Sequence, residues 1–578
     1  MYLRTTPRKN KDGSVVRYLQ LAHNTWDPVA KRSRAQVIYN FGREDTANRA
    51  ALTRLIASVT RFLEPDAALA AGAGEGLAFL EARPLGGTFA LDALWQRLGI
   101  DAVMRRLLKG RRRDEAAERV LFALVANRAL APSSKLAASR WACEDVQIAG
   151  LPATSDDACY RAMDWLLEIQ AALEKEVFHQ VANLLNLEVD LLFFDTTSTY
   201  FELDEADAPV ERDERGQPLP AGAAATDCGD DGEGRQGSPA GFRTYGKSKD
   251  HRDDLPQVVI GMAVTRSGIP VRAWCWPGNT GDSALIRQVK DELREWTLAR
   301  VVWVADRGFA SAENRRFLRR GAHHYIIGER LRSGSAEAKA ALARAGRYQT
   351  VAEGLRVKEV RIAEGERFVI CHNPEGAARD AAVRARLLAR LTEMIAGSDR
   401  LSPLRRAELR GVISTKPGLA RYLRVTAGGL LRTDEGALKA EAKLDGKYLL
   451  RSSDPELSAE DIALGYKQLY EVERGWRDMK QVIDLRPVYH RKEERIRAHV
   501  VVCWLALLLI RVIETTCGET WPNLRRELEK IKVGTFTGPA GSFRQRTEIT
   551  ASQRAILGKL KLAEPPRIQQ LTPALEAS

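Results

Sequence analysis

No Cys-x-x-Cys pair occurs in this sequence. Its seven cysteines, Cys143, Cys159, Cys228, Cys275, Cys371, Cys503 and Cys517, are scattered. That spacing excludes a zinc ribbon and a disulfide framework and points to a reducing compartment. The N-terminal stretch MYLRTTPRKNKDG lacks the apolar core of a signal peptide. The longest apolar run, Val500–Ile510, is shorter than a bilayer requires, so it reads as a buried helix and no membrane partner is expected. No repeat of fixed period is present, which excludes a solenoid or a propeller. An acidic surplus is missing as well: 76 Asp and Glu stand against 89 Lys and Arg, a formal charge of +13. This balance suits a polyanionic partner such as DNA, although an ordinary soluble protein can carry it too.

What is there is a globular composition, 44% hydrophobic and 29% charged, over 578 residues. At about 150 residues per domain, that length implies three or four folding units. Residues 1–45 read as a small basic β-rich module, with an Asp12-Gly13 turn before VVRYLQLA and the strand AQVIYNF after a loop containing Lys31, Arg32 and Arg34. Residues 46–187 turn helical, with a basic segment Lys109–Arg113 between two apolar-periodic stretches. This part is expected to bind DNA or dimerise, or to be a plain helical bundle with a solvated turn.

Residues 188–330 change character. Five short apolar runs, DLLFFDTT, QVVIGMAVT, PVRAWCWP, VVWVADRGF and HHYIIG, read as strands of a mixed sheet, with the helical SALIRQVKDELREW before the fourth. Residues 202–241, acidic and rich in Gly, Pro and Ala, predict a disordered loop. Residues 331–455 read as an inserted, mainly β domain: a hairpin about Glu364-Gly365, one helical stretch RDAAVRARLLARLTEMI, the alternating LKAEAKL, and KYLL after Asp445-Gly446. Residues 456–515 return to the core with one helix over 458–483, opened by a Ser458/Asp461 capping box, and an apolar helix over 496–513 packed behind the sheet. The tail, 516–578, resolves only into short helices.

Asp195 follows Leu191–Phe194 and Asp306 follows Val301–Ala305, so each carboxylate sits where a buried strand ends, the edge at which α/β proteins build sites. An Asp in that position also caps turns. Glu473 lies mid-helix, with Tyr466 seven residues before it and Lys480 seven after, close to two turns each way, so the three share a face. A solvated helix flank would look the same. Two aspartates on a sheet edge and a glutamate on a covering helix are the donor set of a two-metal site, which activates an attacking oxygen and stabilises a leaving one at phosphorus. Hard oxygen ligands favour Mg²⁺ or Mn²⁺ over zinc.

Other polar residues carry less. Asp282, in the first turn of a helix, reads as a dipole partner. His251, His490 and His499 lie in basic surroundings suited to phosphate or to packing, and Trp476 reads as core.

The blocks FFDTTSTYFE, YGKSKDHR followed by LPQVV, WPGNTGDS, VADRGF and YKQLYEVERGWRDMK resemble the successive blocks of bacterial insertion-sequence transposases of the DDE type. The chain is similar to their IS-four superfamily, whose helix carries Tyr, Arg, Glu and Lys at intervals of three, four and seven. Those positions are Tyr466, Leu469, Glu473 and Lys480 here, so leucine replaces the arginine, and Arg474 or Arg477 is the substitute at hand. The block RPVYHRKEERIRAHV places it nearest the IS sixteen-thirty-four subgroup.

The resemblance implies an α/β, ribonuclease H-like catalytic core interrupted by an insertion. It implies Asp195, Asp306 and Glu473 as catalytic metal ligands for two Mg²⁺ or Mn²⁺ ions, with Tyr466, Lys480, Arg477 and Arg474 on DNA. Its partners would be the terminal inverted repeats of its own element and target DNA, held by a homodimer in the bacterial cytoplasm at the nucleoid. Residue spacing alone reaches only metal-dependent phosphoryl transfer. Two other readings therefore stand: a catalytically retired DNA-binding relative, and a nuclease of the same fold that cuts without joining.

Overall fold

The computed structural model describes residues 2–10, 14–27, 32–46, 50, 52–54, 77–109, 115–185, 190–213, 215–219, 240–294, 296, 300–363, 366–538 and 541–573. The expected turns at Asp12-Gly13 and Glu364-Gly365, Lys31, the basic residues 110–113, and residues 214 and 220–239 of the acidic stretch lie outside them. The chain forms two compact units. The first comprises Met1–Leu184, Val482–Leu485 and Tyr489–Ser578, and the second Leu185–Gln481 with Arg486–Val488.

The first unit opens with an antiparallel three-stranded sheet, β1 (Tyr2–Lys9), β2 (Val15–Asp27) and β3 (Arg32–Arg43). After β4 (Ala78–Pro84) come helices Gly86–Arg97, Ala117–Leu130 and the 30-residue Asp156–Leu185.

In the second unit the apolar runs become β5 (Leu191–Tyr200), β6 (Gln257–Thr265), β7 (Pro270–Pro277), β8 (Val302–Ala305) and β9 (His324–Glu329). Every residue of β6 is buried, so the strand reads as a continuous apolar run without alternation. β5 pairs antiparallel with β6 and parallel with β8, and β8 runs parallel to β9. The helix Asp282–Arg294 supplies the connection from β7 to β8. Its Glu292 and Gln288 accept from the indoles of Trp274 and Trp276 on β7, at 2.8 and 3.1 Å.

The inserted segment adds β10 (Gln349–Ala352), β11 (Leu355–Ala363), β12 (Glu366–His372), the small pair β13 (Leu423–Val425) and β14 (Leu431–Thr433), and β15 (Lys447–Ser452). The sheet order is β10-β11-β12-β15-β9-β8-β5-β6-β7. The insertion is not mainly β. It also holds helices Ala336–Ala343, Pro374–Ile395, Pro403–Ser414 and Glu435–Ala442, with its own core of Leu391, Ile413, Leu419 and Tyr422. The alternating LKAEAKL falls largely in the last of these helices, because Asp434 caps it by accepting from Ala437 N at 2.9 Å and Ala, Glu and Lys favour helix over strand.

The expected single helix over 458–483 is two, Ala459–Lys467 and Tyr470–Gln481. The capping box forms as expected. Between the helices the backbone tightens, with Gln468 N bonding to Gly465 O and Leu469 N to Tyr466 O. The aliphatic Leu469 is buried at this break, at 9% exposure.

The apolar helix extends over Glu493–Cys517, longer than the run that marks it, and by length and composition it is sufficient to cross a membrane. It is buried, as expected; it belongs to the first unit, where it packs on Ala117–Leu130. Each of its Leu, Ile and Val side chains contributes on the order of 2 kcal/mol through burial. The tail is not only helical: β16 (Lys532–Gly538), β17 (Gly541–Arg546) and β18 (Ile568–Pro573) join β4 in the order β18-β17-β16-β4.

Candidate active site

The parallel register of β5 and β8 brings the two aspartates together. Phe193 pairs with Val304, so Asp195 and Asp306, each two residues further on, emerge side by side at the same end of the sheet. Asp195 does not end its strand, which continues to Tyr200 against β6; it lies two residues past Phe193, the last residue paired with β8. It is also the first position along β5 that is not fully buried. Asp306 does follow the end of β8, and its turn-capping role is real: Oδ1 accepts from Gly308 N at 2.7 Å. The helix Tyr470–Gln481, which carries an exposed Glu473, packs on β5 and β6.

Because the helix breaks at Leu469, Tyr466 does not share one straight face with Glu473 and Lys480. Tyr466 turns instead toward β9 and the turn after β8. A Cβ added to Gly328 would stand 2.5 Å from the Tyr466 hydroxyl and 3.3 Å from Arg307 N. The ring lies over Tyr448, with centroids 6.1 Å apart. Burial, and then the field of Asp306, push the Tyr466 phenol above its usual range; Arg307 opposes the shift, and Glu473 and Asp195 add lesser contributions to it. The three carboxylates thus act on a single phenol.

Sequence reasoning missed the cation among these acids. Lys249 Nζ lies 3.7 Å from Asp195 Oδ1 and 3.2 Å from Asp282 Oδ2, and donates to Thr196 O and Thr196 Oγ1, both at 2.6 Å. Thr196 Oγ1 in turn donates to Asp282 Oδ1 at 2.9 Å. Asp282, read from sequence as a dipole partner, therefore sits in the acidic cluster. Nothing in the spacing relates positions 195, 249 and 282; only the fold of the connecting segments does.

Asp195 is pushed up to about 6, mainly by burial, with Asp306 and Asp282 adding to the shift and Lys249 and the Thr196 backbone opposing it. Among the described residues, no three His, Cys, Asp or Glu side chains converge tightly enough to enclose an ion as they stand. The donor chemistry nonetheless fits divalent ions: an oxygen-only carboxylate set in which Asp306 and Asp282 push Asp195 up is relieved by a multivalent cation.

Of the residues expected on DNA, Lys480 is paired with Asp250 Oδ1 at 3.0 Å, and Arg486 NH1 meets Asp250 Oδ2 at 3.0 Å. Arg477 is exposed and rests over Tyr470, 6.0 Å from the ring centroid. Arg474 lies 3.9 Å from both Glu471 and Asp478. Trp476 is core, as expected. Of the acidic stretch, the described residues 202–213 and 215–219 are held rather than disordered: Asp207 pairs with Arg243 at 2.5 Å, and Arg212 Nε donates to Ala240 O at 3.0 Å.

Residues 231–509 match the model of the transposase DDE domain, and residues 3–70 that of the IS1634 family transposase N-terminal domain. The first match takes in Asp306 and Glu473 and begins after Asp195. No curated protein matches. A solved piggyBac transposase synaptic complex with hairpin DNA is similar at 10% identity and a TM-score of 0.36, over 78% of this chain and 82% of that one. That likeness is too remote to carry an argument.

Proposed function

The chain is a DNA transposase of the DDE class, with the N-terminal domain of the IS1634 family, and we propose that it cuts and rejoins DNA with Asp195, Asp306 and Glu473 as its three carboxylates. One observation carries this assignment: the β5–β8 register sets Asp195 beside Asp306, on the strand against which the Glu473 helix packs. The strands β7-β6-β5-β8-β9, antiparallel on one side of β5 and parallel on the other, support a ribonuclease H-like core.

DDE transposases use divalent metal ions; here the three carboxylates would hold two Mg²⁺ or Mn²⁺, which when bound activate the attacking oxygen and stabilise the leaving one. The chain's own residues do the rest. Asp195 and Asp306 are fixed by strand register and, for Asp306, by the Gly308 amide. Tyr466, wedged against Gly328, closes the cluster beside β9. Lys249 and Thr196 hold Asp282 at its rim. Lys480, with Arg474 and Arg477 on the same helix, suits the phosphates of the DNA ends. The DNA would be the element's terminal inverted repeats and then the target, held by a homodimer at the bacterial nucleoid in the cytoplasm, with the basic N-terminal parts reading the repeats.

The test is incubation of the full chain with its flanking DNA and Mg²⁺, with cleavage and joining scored separately. Asp195→Asn, Asp306→Asn and Glu473→Gln should each abolish both while DNA binding persists. Wild-type cleavage in any of them removes that residue from the site, and cleavage without joining by the parent chain replaces the transposase activity with that of a nuclease.

A further inference from the structure

We propose that Lys480 and Arg486 form a subsite for one backbone phosphate of the DNA, and that the Asp250 carboxylate holds that phosphate's place in the DNA-free protein. This inference rests on the DNA-processing function proposed above. Asp250 presents one oxygen to each cation: Oδ1 lies 3.0 Å from Lys480 Nζ and Oδ2 lies 3.0 Å from Arg486 NH1, with a further 3.3 Å contact from Lys480 Nζ to Oδ2. Two oxygens of one anion shared between an ammonium and a guanidinium is also how the two non-bridging oxygens of a phosphodiester are gripped.

The surroundings fit a nucleic acid more than a structural ion pair. Arg486 lies over the ring of Tyr200, 4.7 Å from its centroid, and Arg252 lies over the same ring at 5.2 Å. One further guanidinium, that of Arg252, itself paired with Asp254 at 2.8 Å, therefore joins Arg486 on the aromatic side chain at the end of β5, the strand that carries Asp195. The side chains of Lys480, Arg486 and Asp250 keep 16%, 26% and 20% of their surface in solvent. All three therefore remain reachable from solvent, so a polyanion delivered to the site can exchange with the carboxylate.

The residue before Asp250 completes the picture. Lys249 puts a positive charge on Asp195 and Asp282, while Asp250 puts a negative one on Lys480 and Arg486. Adjacent residues of one loop thus set opposite charges against the acidic and the basic parts of the same unit. The loop is fixed by Lys249 N donating to Ser198 Oγ at 2.9 Å and Ser248 N to Asp253 Oδ1 at 2.6 Å.

The experiment measures binding of the full chain to a short labelled duplex by fluorescence anisotropy, in EDTA and low salt so that no cleavage intervenes. Asp250→Asn should bind several-fold more tightly than the parent, and Asp250→Glu, which keeps the charge, should bind like the parent. Arg486→Gln should bind several-fold more weakly and should erase the gain when combined with Asp250→Asn. Unchanged or weakened binding by Asp250→Asn, a gain that survives in the Arg486→Gln background, or a matching gain in Asp250→Glu would overturn the subsite. If the parent chain itself fails to bind DNA, the proposed function falls first; if it binds and Asp250→Asn gains nothing, only the placeholder falls.

Discussion

The hydroxyl of Tyr466 lies so close to the α-carbon of Gly328 that an added Cβ would stand 2.5 Å from it. The absence of a side chain on β9 thus fixes where the phenol beside the three carboxylates can sit. Gly328→Ala should destabilise the protein by about 1 to 3 kcal/mol, the usual cost of overpacking, and should lower cleavage by displacing the ring. Adding Tyr466→Phe removes the clashing oxygen, so the double variant should recover stability in urea unfolding relative to Gly328→Ala alone. Additive losses would show that the two residues do not meet.

Leu469 stands where the resembled helix pattern has arginine, and it is buried at the break between two helices. Restoring the arginine should therefore not restore a phosphate contact. Leu469→Arg should cost about 2 kcal/mol or more by burying an unpaired charge, read as a lower urea midpoint. A variant of parental stability that binds DNA more tightly would show that the position faces the substrate.

Asp282 reaches the cluster through Lys249 and Thr196 rather than as one of the three carboxylates. Asp282→Asn should lower cleavage about 10- to 100-fold, the range for removing a group that orients ligands, whereas Asp195→Asn should abolish it. Equal loss in both variants would promote Asp282 to a ligand.

In the first unit, Lys135 is buried at 3% exposure, with its ammonium 3.4 Å from His499 Nδ1. Burial, reinforced by Arg128, pushes it down to about 7. Its folded pKa lies below its unfolded value of 10.5, so its contribution to stability is fully present above pH 10.5 and is lost as pH falls toward 7. The neutral Lys135→Met should therefore be stabilised near pH 7, by at most about 5 kcal/mol, with the advantage shrinking as pH rises toward 10. Parallel stability curves for parent and variant over that window would contradict the buried charge.

Much of this architecture is legible in the sequence where one local pattern dominates. The five apolar runs became β5 to β9 because they are buried on both faces, and the Ser458/Asp461 pair caps its helix as read. Asp195 and Asp306 could be picked out because each follows such a run. What could not be read depends on distant residues. The helix breaks at a buried Leu469, which the helical spacing does not mark, and the strand-like LKAEAKL yields to a cap at Asp434. Lys249 and Asp250 acquire their partners only when a connection more than fifty residues long returns to β5. The apolar helix Glu493–Cys517 announces its burial but not its neighbour, since any apolar surface would satisfy its composition.

The pairing of β4 with β16 joins Ala78–Pro84 to residues that come more than four hundred positions later, from Lys532 to Thr537. During synthesis the second unit, which ends at Val488, is fully translated before β4 has a strand to pair with, and before Ala117–Leu130 has the helix that covers it. Phe79 and Leu80, exposed even in the finished protein, then lie on an open strand edge. A message cut short between these points would release a chain that contains Asp195, Asp306 and Glu473 but has an unfinished first unit, so whether β4 finds its place is decided by strands translated after the whole second unit.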